Sequence, residues 1–151
     1  MNHIKKTLTM LTVPLLLAAC GGSETSSLDS GFGVNKTTIS GQVQQGNVVG
    51  AKVFLDLNGN GVQEAGEPAA TNLTAADGTF ALPLTAADVA KLTPTSKIVS
   101  EGGTDPTGLA AGLLVSDLPA IAGETATKNI TPLTTLVAMT LDISRVFGLP
   151  L

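Results

Sequence analysis

The stretch from Asp56 to Glu67, DLNGNGVQEAGE, constrains the fold more than any other part of the chain. Its oxygen-bearing side chains, mostly at alternate positions, are those of Asp56, Asn58, Asn60, Glu64 and Glu67, and Gly61 stands at the centre. The spacing fills the pattern D-x-[DN]-x-[DN]-G-x5-E, in which a curling loop aims its oxygens at one cation. A polar turn between strands explains the Asn-Gly pairs, but it does not require the final Glu.

Calcium takes about six to eight oxygen ligands from a flexible segment, and this loop offers that many. We predict that the ligands are the side chains of Asp56, Asn58, Asn60 and Glu67, the backbone carbonyl of Val62, and Glu64 either directly or through water. The alternative interpretation is a polar turn that binds no metal.

The flanking residues argue against an EF-hand, which has a helix on each side of its loop. The preceding run, AKVFL, is typical of a strand, and Pro68 follows Glu67 where an exiting helix would need a backbone N–H. The loop is therefore predicted to join strands, so that calcium would brace the fold rather than open a pair of helices.

The first nineteen residues, 1–19, have the layout of an export signal. A basic start is followed by a short apolar run from Leu8 to Leu17 and by two small residues. The quartet Leu-Ala-Ala-Cys ending at Cys20 resembles the bacterial lipobox, and Cys20 is the only cysteine. We predict that Cys20 carries lipid and anchors the protein to the cell envelope, in the outer membrane if the cell is Gram-negative. The alternative is an ordinary signal peptide followed by a free or intermolecular thiol.

Composition argues against several classes of partner. The formal net charge of −4 becomes −6 without Lys5 and Lys6, so neither nucleic acid nor an anionic lipid surface is an expected partner. The chain has four Phe and no Trp or Tyr, which provides poorly for stacking on bases or sugar rings. The sole histidine, His3, lies in the export signal, and no nucleophile or acid pair stands out. We therefore expect no enzyme and no small-molecule substrate.

The rest of the chain divides into three parts. Residues 20–36 are rich in Gly and Ser and are predicted to be a flexible tether. Residues 37–131 read as short strands with one short helix capped by Thr85 and Asp88, and an Asp-Gly turn at Asp77 predicts a hairpin between AATNLT and GTFALPL.

Residues 132–148 are predicted to form an apolar C-terminal helix. Thr131 stands at the N-cap, Pro132 at the first helical position and Gly148 just past the end. Its stripe of large apolar residues includes Leu133, Leu136, Val137 and Leu141, widened by Met139, Ile143, Val146 and Phe147. This helix must pack on the sheet, on a partner, or on a part of the protein outside this chain.

The segment ISGQVQQGNVVGAKVFLDLNGNGVQEAGEP, followed by TNLTAADGTFAL, resembles bacterial surface modules of the transthyretin-like class. The similar families are the SdrD B-type repeats and the carboxypeptidase-regulatory-like domains. The resemblance covers about residues 37–84 and implies a mainly β fold, a small antiparallel prealbumin-like β-sandwich stabilised by calcium. It also implies a role as a spacer, stalk or adhesion module.

These observations predict a lipid-anchored envelope protein with a structural calcium site. One alternative is a protein-binding envelope module that uses the C-terminal helix or a strand edge to dock an envelope or extracellular protein. Another is a fragment of a larger surface protein with no function of its own. Text similar to NITPLTTLVA, at the start of the predicted helix, recurs in large secreted or lipid-anchored proteins.

Overall fold

The computed structural model describes residues 36–150. The elements in chain order are β1 (Thr37–Gln42), β2 (Lys52–Asp56), β3 (Thr79–Leu84), α1 (Ala86–Val89), β4 (Lys97–Glu101), β5 (Leu114–Asp117), β6 (Thr125–Thr127) and α2 (Pro132–Phe147). The protein is mainly β, as predicted, with two three-stranded sheets ordered β3-β1-β6 and β2-β4-β5. The predicted arrangement of these sheets as a prealbumin-like sandwich stays a prediction.

Alternation of apolar and polar residues places one face of each sheet in a common core. On β3 the inward residues Phe80, Leu82 and Leu84 are buried, while Ala81 and Pro83 between them are exposed. Side chains from both sheets join one hydrophobic cluster, which includes Ile39, Leu82, Val53, Leu55, Ile98 and Leu114. This cluster lies between residues 39 and 130, so the two sheets of the described chain share one core.

The β2-β4-β5 sheet is buried on its second face as well. Phe54 and Val99 are cross-strand partners with no exposed surface, yet they lie outside the common cluster. Helix α2 contacts β5. Lys97 also stands on the second face, opposite Asp56, and is buried with it. The sequence predicts that Val53 and Leu55 face opposite to Phe54, which the structure confirms.

One prediction about strand pairing is confirmed in part and another is wrong. The pairs β1-β3, β2-β4 and β4-β5 are antiparallel, as predicted, but β6 pairs parallel with β1, Ile39 standing opposite Ala126. The predicted hairpin is absent from the described chain: β3 pairs with β1, while residues 69–74 lie along β2 through Ala70 N–H to Val53 O and Thr74 N–H to Ala51 O, both 2.8 Å. The Asp-Gly turn is present, but its two arms go to different sheets.

Both predicted helices form with the predicted caps. Thr85 and Asp88 make a reciprocal capping box on α1. On α2, Thr131 and Thr134 make another, Pro132 begins the helix, and Gly148 ends it in a left-handed conformation. No helix within residues 36–150 is long and apolar enough to cross a membrane.

The face with which α2 docks differs from the predicted stripe. Its buried residues are Thr135, Ala138 and Ser144, which are small. Most of the stripe is exposed: Leu133, Leu136, Val137, Met139, Ile143, Val146 and Phe147. The helix therefore does pack on the sheet, one of the three predicted coverings, but through these small residues and not through the predicted stripe. Small side chains let the helix approach the edge strand β5 closely, and the large ones point outward.

Candidate functional site

The predicted metal-binding loop begins at the last residue of β2 and returns beside the same strand. Leu55 N–H donates to Pro68 O at 2.8 Å, which holds the exit of the loop against its entry. The segment on each side is extended, and no helix flanks residues 56–67 in the described structure. This confirms that the loop joins β segments and is not part of an EF-hand.

Asp56 anchors the loop from inside the protein, since it is only 1% exposed. Its Oδ1 accepts the Gly59 N–H and its Oδ2 accepts the Gly61 N–H, both at 2.7 Å. These bonds compensate the cost of burying a carboxylate and curl the chain tightly around it. Gly61 has φ 77°, a left-handed conformation that side chains disfavour, which explains the glycine at the centre of the pattern.

Glu64 lies where the two asparagine side chains meet. Its Oε2 accepts from the Asn58 amide nitrogen and its Oε1 from the Asn60 amide nitrogen, each at 3.0 Å. The asparagine oxygens are also used: Asn58 Oδ1 accepts the Asn60 N–H at 3.0 Å, and Asn60 Oδ1 accepts the Val62 N–H at 2.8 Å. Three of the predicted ligands are thereby brought together on the exposed side of the loop.

Glu67 closes the loop by joining its first and last turns. Its Oε1 accepts the Leu57 N–H at 2.7 Å and its Oε2 accepts the Glu64 N–H at 3.0 Å. A carboxylate that accepts two backbone N–H groups fixes the chain ends relative to each other. The last residue of the sequence pattern therefore has a structural role that does not depend on metal.

The predicted ligands form a continuous network, but not a tight carboxylate cluster. Within residues 36–150, no three or more His, Cys, Asp or Glu side chains converge as metal ligands would. Each carboxylate has different partners: Asp56 accepts backbone N–H groups of the loop and Glu67 accepts the backbone N–H of Leu57. Glu64 accepts the side-chain amide of Asn58. Val62 is 61% exposed. Its side chain has no oxygen, so Val62 could contribute only its backbone carbonyl, as predicted.

The chemistry of these donors fits a hard cation. All the side-chain ligands supply carboxylate or amide oxygens, which calcium prefers, and none supplies sulfur or imidazole. Asn58 and Asn60 can exchange nitrogen for oxygen at Glu64 by rotating the terminal amide about one bond. In the structure, the N–H groups of these two amides point at the negative Glu64 carboxylate. A bound cation would take over the same favourable contact with that carboxylate.

Two charged residues that sequence reasoning missed lie beside the loop. Lys97 Nζ donates to Asp142 Oδ1 at 2.9 Å, with the Lys97 side chain only 6% exposed. With Asp56, Asn60 and Ala138, this pair lines a cleft of about 180 Å³ between the loop and α2. In the sequence, Lys97 begins an apolar strand and Asp142 is the one acidic residue of an apolar helix. Neither feature predicts that the two side chains form an ion pair.

The predicted lipidation site, Cys20, lies outside the described residues, as do the export signal 1–19 and all of the tether 20–36 except Lys36. These assignments stay predictions.

Comparisons with known proteins give little to set beside this geometry. No family model matches the chain, and no curated protein matches it at a significant level. Among solved structures, the crystal structure of the major plantain pollen allergen Pla l 1 is similar, at 17% identity with a TM-score of 0.40. The match covers 64% of this chain and 91% of the allergen. Similarity at this level supports no assignment of family, fold or function.

Proposed function

We propose that the protein is a non-catalytic, lipid-anchored module of the bacterial cell envelope, a small β-sandwich whose Asp56–Glu67 loop binds calcium and thereby braces the fold. The observation that carries the proposal is that the Asn58 and Asn60 amides both contact the Glu64 carboxylate, beside the buried Asp56. In this role the module acts as a spacer or adhesion-type unit at the cell surface.

Calcium would supply positive charge to a loop that holds three carboxylates and no cationic side chain of its own. Asp56, Asn58, Asn60, Glu64, Glu67 and the Val62 carbonyl are the residues that would hold it. Binding would replace the two amide contacts to Glu64 and reduce the repulsion among the carboxylates. Because only the folded loop gathers these oxygens, calcium would stabilise the folded state.

Calcium titration by calorimetry tests the site directly. The material is a form beginning at Gly21, which lacks the export signal and Cys20 but keeps every residue of the hydrophobic cluster seen in the described chain. We expect one site with a dissociation constant of about 10⁻⁴–10⁻³ M, the range of extracellular modules. Glu64→Gln should weaken binding by at least about tenfold, since it removes a liganding charge.

Glu124→Gln is the matched control, because Glu124 is an exposed carboxylate in a turn outside the loop. It should bind calcium as the unaltered protein does. Equal loss of affinity in both variants, or no calcium binding by the unaltered form, would remove the proposed site.

Membrane anchorage is tested separately, in cells. The full chain should fractionate with the membrane and incorporate labelled fatty acid, and Cys20→Ser should abolish both. A Cys20→Ser chain that stays in the membrane fraction would contradict the lipid anchor, without bearing on the calcium loop.

A second candidate function is favoured by one observation, the exposed apolar face of α2. Faces of this kind mark docking sites more often than chance exposure. The module would then hold another polypeptide at the envelope, and the calcium loop would maintain the sheet on which α2 rests.

A further inference from the structure

The outward face of α2 is an apolar surface that the described chain leaves uncovered. Along it run Leu133, Leu136, Thr140, Ile143 and Phe147, at successive intervals of three, four, three and four residues. Residues at this spacing lie on one side of a helix and form the row that a second helix packs against. The four apolar members are between 54% and 71% exposed.

The row is self-complementary in size. Thr140 stands at its midpoint, with two larger apolar residues toward each end of the helix. Its hydroxyl donates to Leu136 O at 2.9 Å, so it needs no partner from outside. Two copies related by a two-fold axis through Thr140 would approach most closely at the smallest side chain and pack large residues against large ones.

Charge does not oppose such pairing. The only charged residues of α2 are Asp142 and Arg145, and both lie away from the row. Asp142 faces the sheet, where it binds Lys97, and Arg145 lies 3.5 Å from Asp142. A copy of the same surface therefore meets no like charge. The absence of Lys and Arg around the row also disfavours a lipid surface as the occupant.

The area of the row is that of a substantial apolar patch. Its four apolar side chains, Leu133, Leu136, Ile143 and Phe147, are between 54% and 71% exposed, and Val137 and Met139 lie on its flanks. At roughly 100 Å² each, the four residues of the row present on the order of 400 Å². The largest apolar patch of a typical monomer is about 300–600 Å², and a standard interface takes about 800 Å² from each partner.

We propose that the row Leu133–Leu136–Thr140–Ile143–Phe147 is a dimerisation surface, on which α2 of a second copy packs about a two-fold axis through Thr140. The proposal is independent of the calcium site, since none of the five residues belongs to the loop. At the cell surface, pairing would join two lipid-anchored modules side by side.

Sedimentation equilibrium on the form beginning at Gly21 tests the proposal, with and without a calcium chelator. We expect a reversible monomer–dimer equilibrium and no larger species, because an isologous contact closes on itself. Replacing Leu136 and Ile143 together by Lys should raise the dissociation constant at least about 100-fold, since two charges would be buried in the interface. Leu73→Lys, at a residue 59% exposed on a loop, should leave it unchanged.

A cysteine placed at the midpoint tests the register. The form beginning at Gly21 has no cysteine, so Thr140→Cys introduces the only thiol. Oxidation should give a disulfide-linked dimer at protein concentrations where Thr71→Cys, an exposed loop control, stays monomeric. Three results would each overturn the proposal: a monomer at every concentration up to the millimolar range, a dimer that survives both lysines, or cross-linking no faster than the control.

Discussion

Gly41, in β1, lies close against the backbone of the segment that follows β6. A Cβ on this residue would collide with the carbonyl oxygen of Lys128, in the segment that follows β6. Lys128 is itself held there, because its N–H donates to Ser40 O at 2.9 Å. The glycine is therefore required by a neighbouring main chain and not by its own conformation.

Gly41→Ala should lower the free energy of unfolding by about 1–3 kcal/mol, because backbone must move to admit the methyl group. Gly112→Ala is the matched control: its added Cβ meets nothing within 4 Å, and its backbone is not left-handed. That variant should stay within about 0.5 kcal/mol of the unaltered protein. Urea denaturation measures both, and an equal effect of the two substitutions would refute the crowding at Gly41.

Lys97 is the most deeply buried cationic side chain in the described structure, and Asp142 is its carboxylate partner. The sequence could not predict this pair, because lysine is usually exposed and the two residues lie 45 positions apart. Burial of the ammonium follows from the docking of α2 over the second face of the sheet, which is a tertiary effect.

Asp142→Asn should destabilise the protein by about 1–2 kcal/mol, because it removes the carboxylate that forms an ion pair with a buried ammonium. Asp117→Asn breaks a more exposed pair, in which the side chains of Lys128 and Asp117 are 25% and 44% exposed. It should cost less than about 1 kcal/mol. Thermal unfolding in chelator compares the two without a contribution from calcium, and a larger loss for Asp117→Asn would contradict the assigned burial.

At the scale of elements, α2 is held to the sheet by hydroxyl groups as well as by packing. Val115 N–H, on the free edge of β5, donates to Thr135 Oγ1 at 2.9 Å. Val115 O accepts the Thr134 hydroxyl at 3.0 Å. These contacts satisfy backbone groups of an edge strand that would otherwise be open to pairing with another chain.

Thr135→Val keeps the shape of the side chain but leaves the Val115 N–H without its acceptor. We expect a loss of about 1–3 kcal/mol and faster hydrogen exchange at the Val115 amide. Thr140→Val removes an exposed hydroxyl from the same helix, and at micromolar concentration it should change neither quantity by a measurable amount. Unchanged exchange at Val115 in the Thr135 variant would show that the hydroxyl is dispensable.

The capping box of α1 makes a small part of the stability dependent on pH. The Thr85 side chain, followed by the Thr85 backbone N–H, holds the pKa of Asp88 below its ordinary value of 3.8. The stabilisation is therefore present above pH 3.8 and is lost as the pH falls through the lowered pKa of the folded state. In acid titrations, Asp88→Asn should be less stable than the unaltered protein at pH 6, and the difference should vanish at low pH. A difference that is constant with pH would contradict this account.

Elements that depend on interactions between residues close in sequence were predictable, whereas the pairing of segments distant in sequence was not. Capping residues such as Thr85 and Thr131 and the alternation in β3 act within a few residues, and the structure confirms them. Residues 69–74 have a strand-like sequence, but they hydrogen-bond to the edge of β2 and not to β3, so the predicted hairpin did not form. The docked face of α2 was missed because close approach favoured small side chains over apolar ones.

The loop illustrates the same division. Its residues and its central glycine could be named from spacing alone, because each acts on neighbours within a few positions. That Asp56 is buried, Glu67 joins the loop ends and Glu64 meets two amides depends on how the loop folds back on β2. Spacing identifies candidate ligands but does not determine which of them converge.

At the scale of the whole molecule, the loop stands where three parts of the described fold meet. Asp56 ends β2, its cross-strand partner Lys97 begins β4, and Lys97 binds α2 through Asp142. Ordering of the loop by a cation should therefore be felt through the sheet and helix together. This placement is the physical basis for assigning calcium a bracing role.

Differential scanning calorimetry of the form beginning at Gly21, in excess calcium and in chelator, tests that role most directly. At calcium about 100-fold above the dissociation constant, linkage predicts a stabilisation of about 2.7 kcal/mol. For a domain of this size the melting temperature should rise by roughly 8–15 °C. Glu64→Gln, if it binds calcium about tenfold more weakly, should retain only about half of the rise, or about 1.4 kcal/mol, and magnesium should not replace calcium. Melting at the same temperature in calcium and in chelator would contradict the account.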